Sequence, residues 1–445
     1  MEWEDYELKK VVICGAAGRD FHNFNLLYRH DPDVRVVGFT AAQLPNIDQR
    51  HYPPELAGEY YPQGIPIYRQ TELLSLCQRE GVDEVLFSYS DVDHQSVMEL
   101  AEEVLHVGAA FRFESFLRTR LRAKVPVVSV CAVRTGCGKS QIARYLGSAY
   151  RDAGYRVAVM RHPMPYGNLA EQKVQRFASL ADLDRADCTI EEREEYERHV
   201  LAGATVYAGV DYAAILSRAE QENDLIIWDG GNNDGSFLHS DFRIVVVDAL
   251  RPDQLRSHYP GYSVLLEADL AVINKYDSAS DVQIAQIKNS LAQIAPDVPQ
   301  VQARSRIRSQ PEQFEGRVLV VEDGPTTTHG GVPFGAGFIV AQQQANVDIV
   351  DPRPFAVGSL KQMYLDYPHL GRVLPAMGYG QRQIDELAET IAAAQVDWVV
   401  CGSPINLAGV LDLKAPVVQV TYEYEDMGLP ALLDYVHEKF VDALC

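Results

Sequence analysis

Val127-Val-Ser-Val-Cys-Ala-Val-Arg-Thr-Gly-Cys-Gly-Lys-Ser140 is an apolar run that breaks into a turn of small residues and leads into Gln141–Tyr150, a stretch of helical character. Strand, glycine turn and helix in that order make a phosphate-binding loop. Glycines let consecutive backbone N–H groups curl around phosphate oxygens, the helix directs its positive end there, Lys139 neutralises charge, and Ser140 can ligate magnesium. The strict pattern GxxxxGK[ST] has glycine where Val133 stands, so Gly136 and Gly138 supply the flexibility here. Arg134, Thr135, Gly136, Cys137, Gly138, Lys139, Ser140 and Gln141 are the residues expected around a nucleotide.

Four further stretches follow apolar strands, where loops face a ligand. Leu225-Ile-Ile-Trp-Asp229 ends in a carboxylate suited to hold magnesium or its water, and Gly230-Gly-Asn-Asn-Asp-Gly235 follows, with Asn232 and Asn233 expected at the substrate. Asn274-Lys-Tyr-Asp277 matches the NKxD pattern that reads guanine, so Asn274, Lys275 and Asp277 are expected at the base, whether guanine or, with the base shifted, adenine. Arg161-His-Pro-Met-Pro-Tyr-Gly167 offers a guanidinium for phosphate and an imidazole for a proton, which makes Arg161 and His162 catalytic candidates beside Lys139 and Asp229. Lys173 and Arg176, on a predicted helix, would add positive field. Glu322-Asp-Gly-Pro-Thr-Thr-Thr-His-Gly-Gly331 packs hydroxyls, a histidine and glycines into one loop; Glu322 is expected with Ser140 and Asp229 at magnesium, and Thr326, Thr328 and His329 at the substrate.

The chain reads as α/β in three parts. Residues 1–124 alternate strands (Val11–Cys14, Val34–Phe39, Val82–Tyr89) with helices (Thr71–Glu80, Gln95–His106), as a Rossmann-like domain does. Its Gly15-Ala-Ala-Gly18 turn lacks the middle glycine of GxGxxG, which argues against a dinucleotide; Arg19 and His22 would hold phosphate or substrate across a domain cleft. Residues 125–343 form the P-loop domain, with strands at Val127–Val133, Arg156–Met160, Leu225–Trp228, Phe242–Asp248, Leu270–Asn274 and Val318–Val321. Residues 344–445 form a small C-terminal α/β unit, with a helix at Gln381–Ala394 and strands at Asp397–Cys401 and Val417–Tyr422. The acidic run Cys188–Arg198 reads as a solvated helical face.

A formal net charge of −22 disfavours nucleic acid and anionic membranes as partners, while a locally basic pocket still binds an anion. No apolar run approaches the roughly 20 residues of a bilayer span, and the polar N-terminus lacks the order of a secretory signal, so a cytoplasmic protein is expected. Seven scattered cysteines without a CxxC pair read as reduced thiols rather than a zinc site. A homodimer is the base-rate expectation.

Val133–Ser140, Arg161–Gly167, Trp228–Asp234 and Val321–Gly331, taken together, resemble the cyclic 2,3-diphosphoglycerate synthetase family over nearly the whole chain. The resemblance implies an ATP- and magnesium-dependent enzyme that closes 2,3-diphosphoglycerate through an intramolecular phosphoanhydride, a small anionic phosphorylated substrate. Lys139, Arg161, His162 and Arg176 would supply the positive charge such a site needs. Asn274-Lys-Tyr-Asp277 keeps GTP open beside ATP. The alternatives are a P-loop GTPase with a regulatory or metallochaperone-like role, a nucleotide-sensing scaffold, and a kinase or ligase acting on another small anion.

Overall fold

A computed structural model describes residues 8–16, 18–42, 50–162, 167–231, 234–328, 332–376 and 381–440. Asn232, Asn233 and His329 lie outside the described residues, as does the side chain of Thr326.

The N-terminal sheet is built on five parallel strands, Lys9–Cys14, Val34–Ala41, Ile65–Arg69, Glu84–Phe87 and Ala110–Phe113. Numbered along the chain they lie 3-2-1-4-5, the doubly wound Rossmann order short of its sixth strand, with the crevice beside Lys9–Cys14. The central strands Lys9–Cys14 and Glu84–Phe87 are buried because helices such as Leu73–Glu80 and His94–His106 cover them, which is why Val11–Cys14 and Val85–Phe87 read as continuous apolar runs.

The rest of the described chain shares one 13-stranded sheet. Its centre is the P-loop core, in the order Thr205–Ala208, Val157–Arg161, Leu225–Asp229, Val127–Ala132, Phe242–Asp248 and Leu270–Asn274, all parallel. The long strand Gln300–Gln310 carries the sheet onward. Ala271–Ile273 pair in parallel with Gln300–Gln302, and the remainder, Ala303–Gln310, pairs antiparallel with Val417–Asp426. Beyond lie Trp398–Cys401 and Gly316–Asp323, the latter flanked by Val347–Ile349 and Leu374–Ala376. The strand expected over Val318–Val321 in the P-loop core thus sits among the C-terminal strands, where Val318 and Val320 are covered by Phe314 and Val340 on one face, and Leu319 and Val321 by Leu360 and Leu387 on the other. The helix Ala336–Gln343 goes with it, so the sheet places residues 316–343 on the C-terminal side of the expected boundary. The C-terminal helix, Leu432–Phe440, returns to the centre, where Leu432 and Val436 join the apolar cluster of the P-loop core.

The two sheets are joined by backbone pairing and apolar contacts. Val92–Asp93 pairs antiparallel with His258–Tyr259, and Leu169 and Val210 enter the N-terminal apolar cluster. Cys14, Cys77, Cys131, Cys137, Cys188 and Cys401 are buried free thiols. No helix among the described residues is long and apolar enough to cross a membrane.

Candidate active site

The loop between Val127–Ala132 and the P-loop helix, Lys139–Asp152, turns at Gly136 (φ 81°) and Gly138 (φ 103°). A Cβ at Gly138 would lie 2.3 Å from both Asn274 Nδ2 and Gln141 Nε2, so only glycine fits. Neighbouring strands hold the loop by its carbonyls. Asn274 Nδ2 donates to Cys137 O at 2.8 Å, Lys275 Nζ to Gly136 O at 3.0 Å, and Arg251 Nη2 to Thr135 O at 2.9 Å. The loop is thus braced through its carbonyls by side chains of the neighbouring strands. Lys275 and Arg251 are themselves fixed by Asp248, at 2.7 and 3.0 Å. Asn274 and Lys275 therefore brace the loop, while Asp277 is exposed in the turn Tyr276–Ser278. Gln141 accepts from Ser305 Oγ at 2.9 Å.

Lys139 is buried at the head of its helix, and burial pulls its ammonium below the ordinary lysine range, with Cys137, Asp229 and Asp91 pulling the other way. Arg134 does not point at a phosphate. Its Nε donates to Asp91 Oδ1 at 2.6 Å and its Nη1 to Gln254 at 3.1 Å, while Asp91 Oδ2 accepts from Thr135 N at 3.2 Å. Asp91 comes from the loop that follows the N-terminal strand Glu84–Phe87 and has φ 59°, a left-handed conformation that Asp tolerates better than most residues.

Asp229, wholly buried, is the charged centre. Its Oδ2 takes the Arg161 guanidinium and His199 Nε2, the latter at 2.8 Å. Although burial alone would raise it, Arg161 and then His199 hold the Asp229 carboxyl well below the usual carboxylate range. Burial pushes His199 down to about 4, so it stands neutral and donates. Arg161 also donates to Ser140 Oγ at 3.1 Å and pairs with Glu195. Ser140, Asp229 and Glu195 thus converge on one cation. Asp229 Oδ1, buried and without a hydrogen-bond partner, adds an open hard oxygen. These donors suit magnesium. Ser140, Asp229 and Glu195 would hold it, and when bound it would neutralise phosphate charge.

Several expected residues are committed elsewhere. Glu322 is buried at the head of the helix Ala336–Gln343, where it accepts from Phe338 N at 2.7 Å and from the amides of Gly335 and Gly337; it caps that helix rather than joining Ser140 and Asp229. Arg176 lies on the edge strand Gln175–Phe177, not on a helix, and pairs with Glu222 at 2.5 Å; Lys173 sits in the short turn Glu171–Lys173. Thr328 Oγ1 donates to Gly324 O at 2.8 Å within its own turn. His22 lies against Thr119 O at 2.6 Å and stacks on Phe237. Arg19 holds Asp234 at 3.1 Å and Gly235 O at 2.6 Å, with its guanidinium 4.0 Å above the Phe237 ring. His162 lies 3.7 Å from Asp234. Arg19 and His22 therefore join the two sheets, and the Asp20 side chain, taking Gly18 N at 3.0 Å and Phe21 N at 2.7 Å, fills the place a phosphate would need at that turn.

The acidic run is not a solvated face. The helix Ile190–Leu201 buries Glu192, Glu194, Glu197 and His199 between the P-loop core and the loop after Trp398–Cys401. Its charges survive burial because each finds a donor: Gln172 for Glu192, Ser403 for Glu194 and Asn406 N for Glu197. Glu195, His199, Asp91 and Arg251 are the site residues the sequence reading missed. The four-residue spacing of Glu195 and His199, which puts them on one helical face, was the available signal.

No family model matches the chain. A curated protein of Thermococcus kodakarensis, the arginine synthetase ArcE, is 49% identical over 432 residues, covering 97% of this chain and 96% of that one. Among solved structures, LpxK from Aquifex aeolicus, in complex with ATP, is 11% identical, covers 79% of this chain and 96% of its own, and has a TM-score of 0.44. A ParA family ATPase from Chlorobium tepidum is 14% identical, with 40% and 84% covered and a TM-score of 0.25. At such scores neither likeness carries weight. The identity to the Thermococcus protein, sustained through both chains, does: the protein belongs to the family of the arginine synthetase ArcE and is a nucleotide-dependent enzyme of the synthetase class.

Proposed function

We propose that the protein is an ATP- and magnesium-dependent synthetase that forms arginine, as the name of its relative implies. The carrying observation is charge pairing. Arg19, Arg161 and Arg176, three of the cations expected to meet a polyanionic substrate, are each paired with carboxylate: Asp234, Asp229 with Glu195, and Glu222. A substrate with several phosphates gains little from arginines already compensated in this way, which favours the relative's reaction over closure of a diphosphate. Chemically, such a synthetase must make an acceptor oxygen into a leaving group. The P-loop would align the γ-phosphoryl for transfer to that oxygen, giving ADP; a nitrogen nucleophile then takes the carbon, and phosphate departs. Lys139 supplies the charge that follows the phosphoryl group.

Closure of 2,3-diphosphoglycerate stays as the second reading, favoured by the four stretches Val133–Ser140, Arg161–Gly167, Trp228–Asp234 and Val321–Gly331. Exposed Asp277 favours testing GTP beside ATP. The test is phosphate release and product analysis with magnesium and either nucleotide, given a ureido amino acid with an ammonium donor, or 2,3-diphosphoglycerate. Nucleotide-dependent arginine is the expected product, with Lys139→Ala lowering turnover about 100-fold or more. A cyclic phosphate product would establish the second reading, and substrate-independent GTP turnover would make the protein a GTPase.

A further inference from the structure

The helix Ile190–Leu201 has two working faces. On one, Glu195 and His199, a turn apart, reach the Arg161–Asp229 pair. On the other, Glu194 accepts from Ser403 Oγ at 2.6 Å and Glu197 from Asn406 N at 3.1 Å. Arg198 donates to Pro404 O at 2.8 Å, Ser403 O at 3.3 Å and Val420 O at 3.1 Å. The helix is thus clamped to the loop that follows the strand Trp398–Cys401.

We infer that His199 is a positioning residue for Asp229, and that residues 403–406 set it through this helix. The inference rests on the nucleotide and magnesium reading above. A carboxylate can turn about its Cβ–Cγ bond and exchange its oxygens. His199 Nε2 and Arg161 together pin Oδ2, leaving Oδ1 as the one oxygen with no hydrogen-bond partner, aimed at a fixed place. Without the imidazole, one cation alone holds the group, and the free oxygen has no fixed direction. Outer partners of this kind typically change metal affinity about 10- to 100-fold. Because His199 is carried on a helix held at Ser403, loosening that loop should slacken the same carboxylate from the far side.

The test uses the full chain, a non-hydrolysable ATP analogue and Mn2+ as the metal probe, with bound metal read by electron paramagnetic resonance. His199→Leu is expected to weaken Mn2+ about 10-fold or more, and His199→Gln, which restores an N–H near the same place, to recover to within about threefold of wild type. Ser403→Ala, which touches no reacting group, should weaken Mn2+ about threefold. Analogue binding without metal should be unchanged throughout, which a merely structural loss would not spare. Wild-type metal affinity in folded His199→Leu overturns the inference, as does failure of His199→Gln to recover. Should His199→Leu not fold, Ser403→Ala decides, and unchanged Mn2+ affinity there overturns it. A wild-type chain that binds neither analogue nor Mn2+ defeats the nucleotide reading itself, a result distinct from each of these.

Discussion

Burial pushes the Glu322 carboxyl up to about 7, against the pull of the Phe338, Gly335 and Gly337 amides. Below its ordinary value of 4.5 the group is protonated in both folded and unfolded chains. Between there and about 7 the unfolded chain has lost its proton while the folded one keeps it. Stability therefore falls as pH rises through this window, by about 3 kcal/mol in all, and is level above it. Glu322→Gln keeps an acceptor for the amides and has no proton to lose. Its melting temperature should gain on wild type between about pH 5 and about pH 8; a constant gap would show that Glu322 titrates normally. Lys139, Ser140 and Asp229 stand out in the sequence because phosphate and magnesium chemistry favours those residue types beside a glycine turn, and the structure joins Ser140 and Asp229 through Arg161. Glu322 misled for the same reason: a carboxylate after an apolar strand looks alike whether it meets a metal or three amides. Asp91 was illegible, since its partners Arg134 and Thr135 belong to another sheet.

The helix Ile190–Leu201 shows how an element's charge run depends on what surrounds it. Thr189 and Glu192 form a reciprocal cap, visible in sequence as a Thr three residues before a Glu. What sequence could not supply is the wall of donors on both sides, which turns an apparently solvated face into a buried one. Arg198 is the test: its removal leaves the Pro404, Ser403 and Val420 carbonyls without their donor. Arg198→Ala should cost about 2–4 kcal/mol, seen as a lower denaturant midpoint, and a loss under about 0.5 kcal/mol would mean water replaces the guanidinium freely. The strand Gln300–Gln310 was hidden for a related reason. Its sequence is polar, and its arginines make sense only opposite Glu423 and Glu425 of the partner strand.

Across the whole molecule, the α/β class and the parallel core strands followed from apolar runs at the right spacing, but the joining of parts did not, because pairing between distant strands leaves no local trace. Arg19 and Asp234 link the two sheets as a buried ion pair, with side chains 5% and 2% exposed, so little water can replace either partner. Arg19→Ala should lower stability by about 3–5 kcal/mol in thermal unfolding, and Arg19→Ala/Asp234→Ala should recover part of it, since no charge is then buried alone; a double variant no better than the single would assign the loss to packing on Phe237. The shared strand Gln300–Gln310 has a mechanical corollary. Bending a sheet across an intact ladder breaks hydrogen bonds row by row, so the P-loop core and the C-terminal strands behave as one stiff beam. The N-terminal part is fastened to it by side chains, a two-residue pairing and the bridge of Leu121 to Leu238, so a bend of the molecule strains the fewest backbone bonds there.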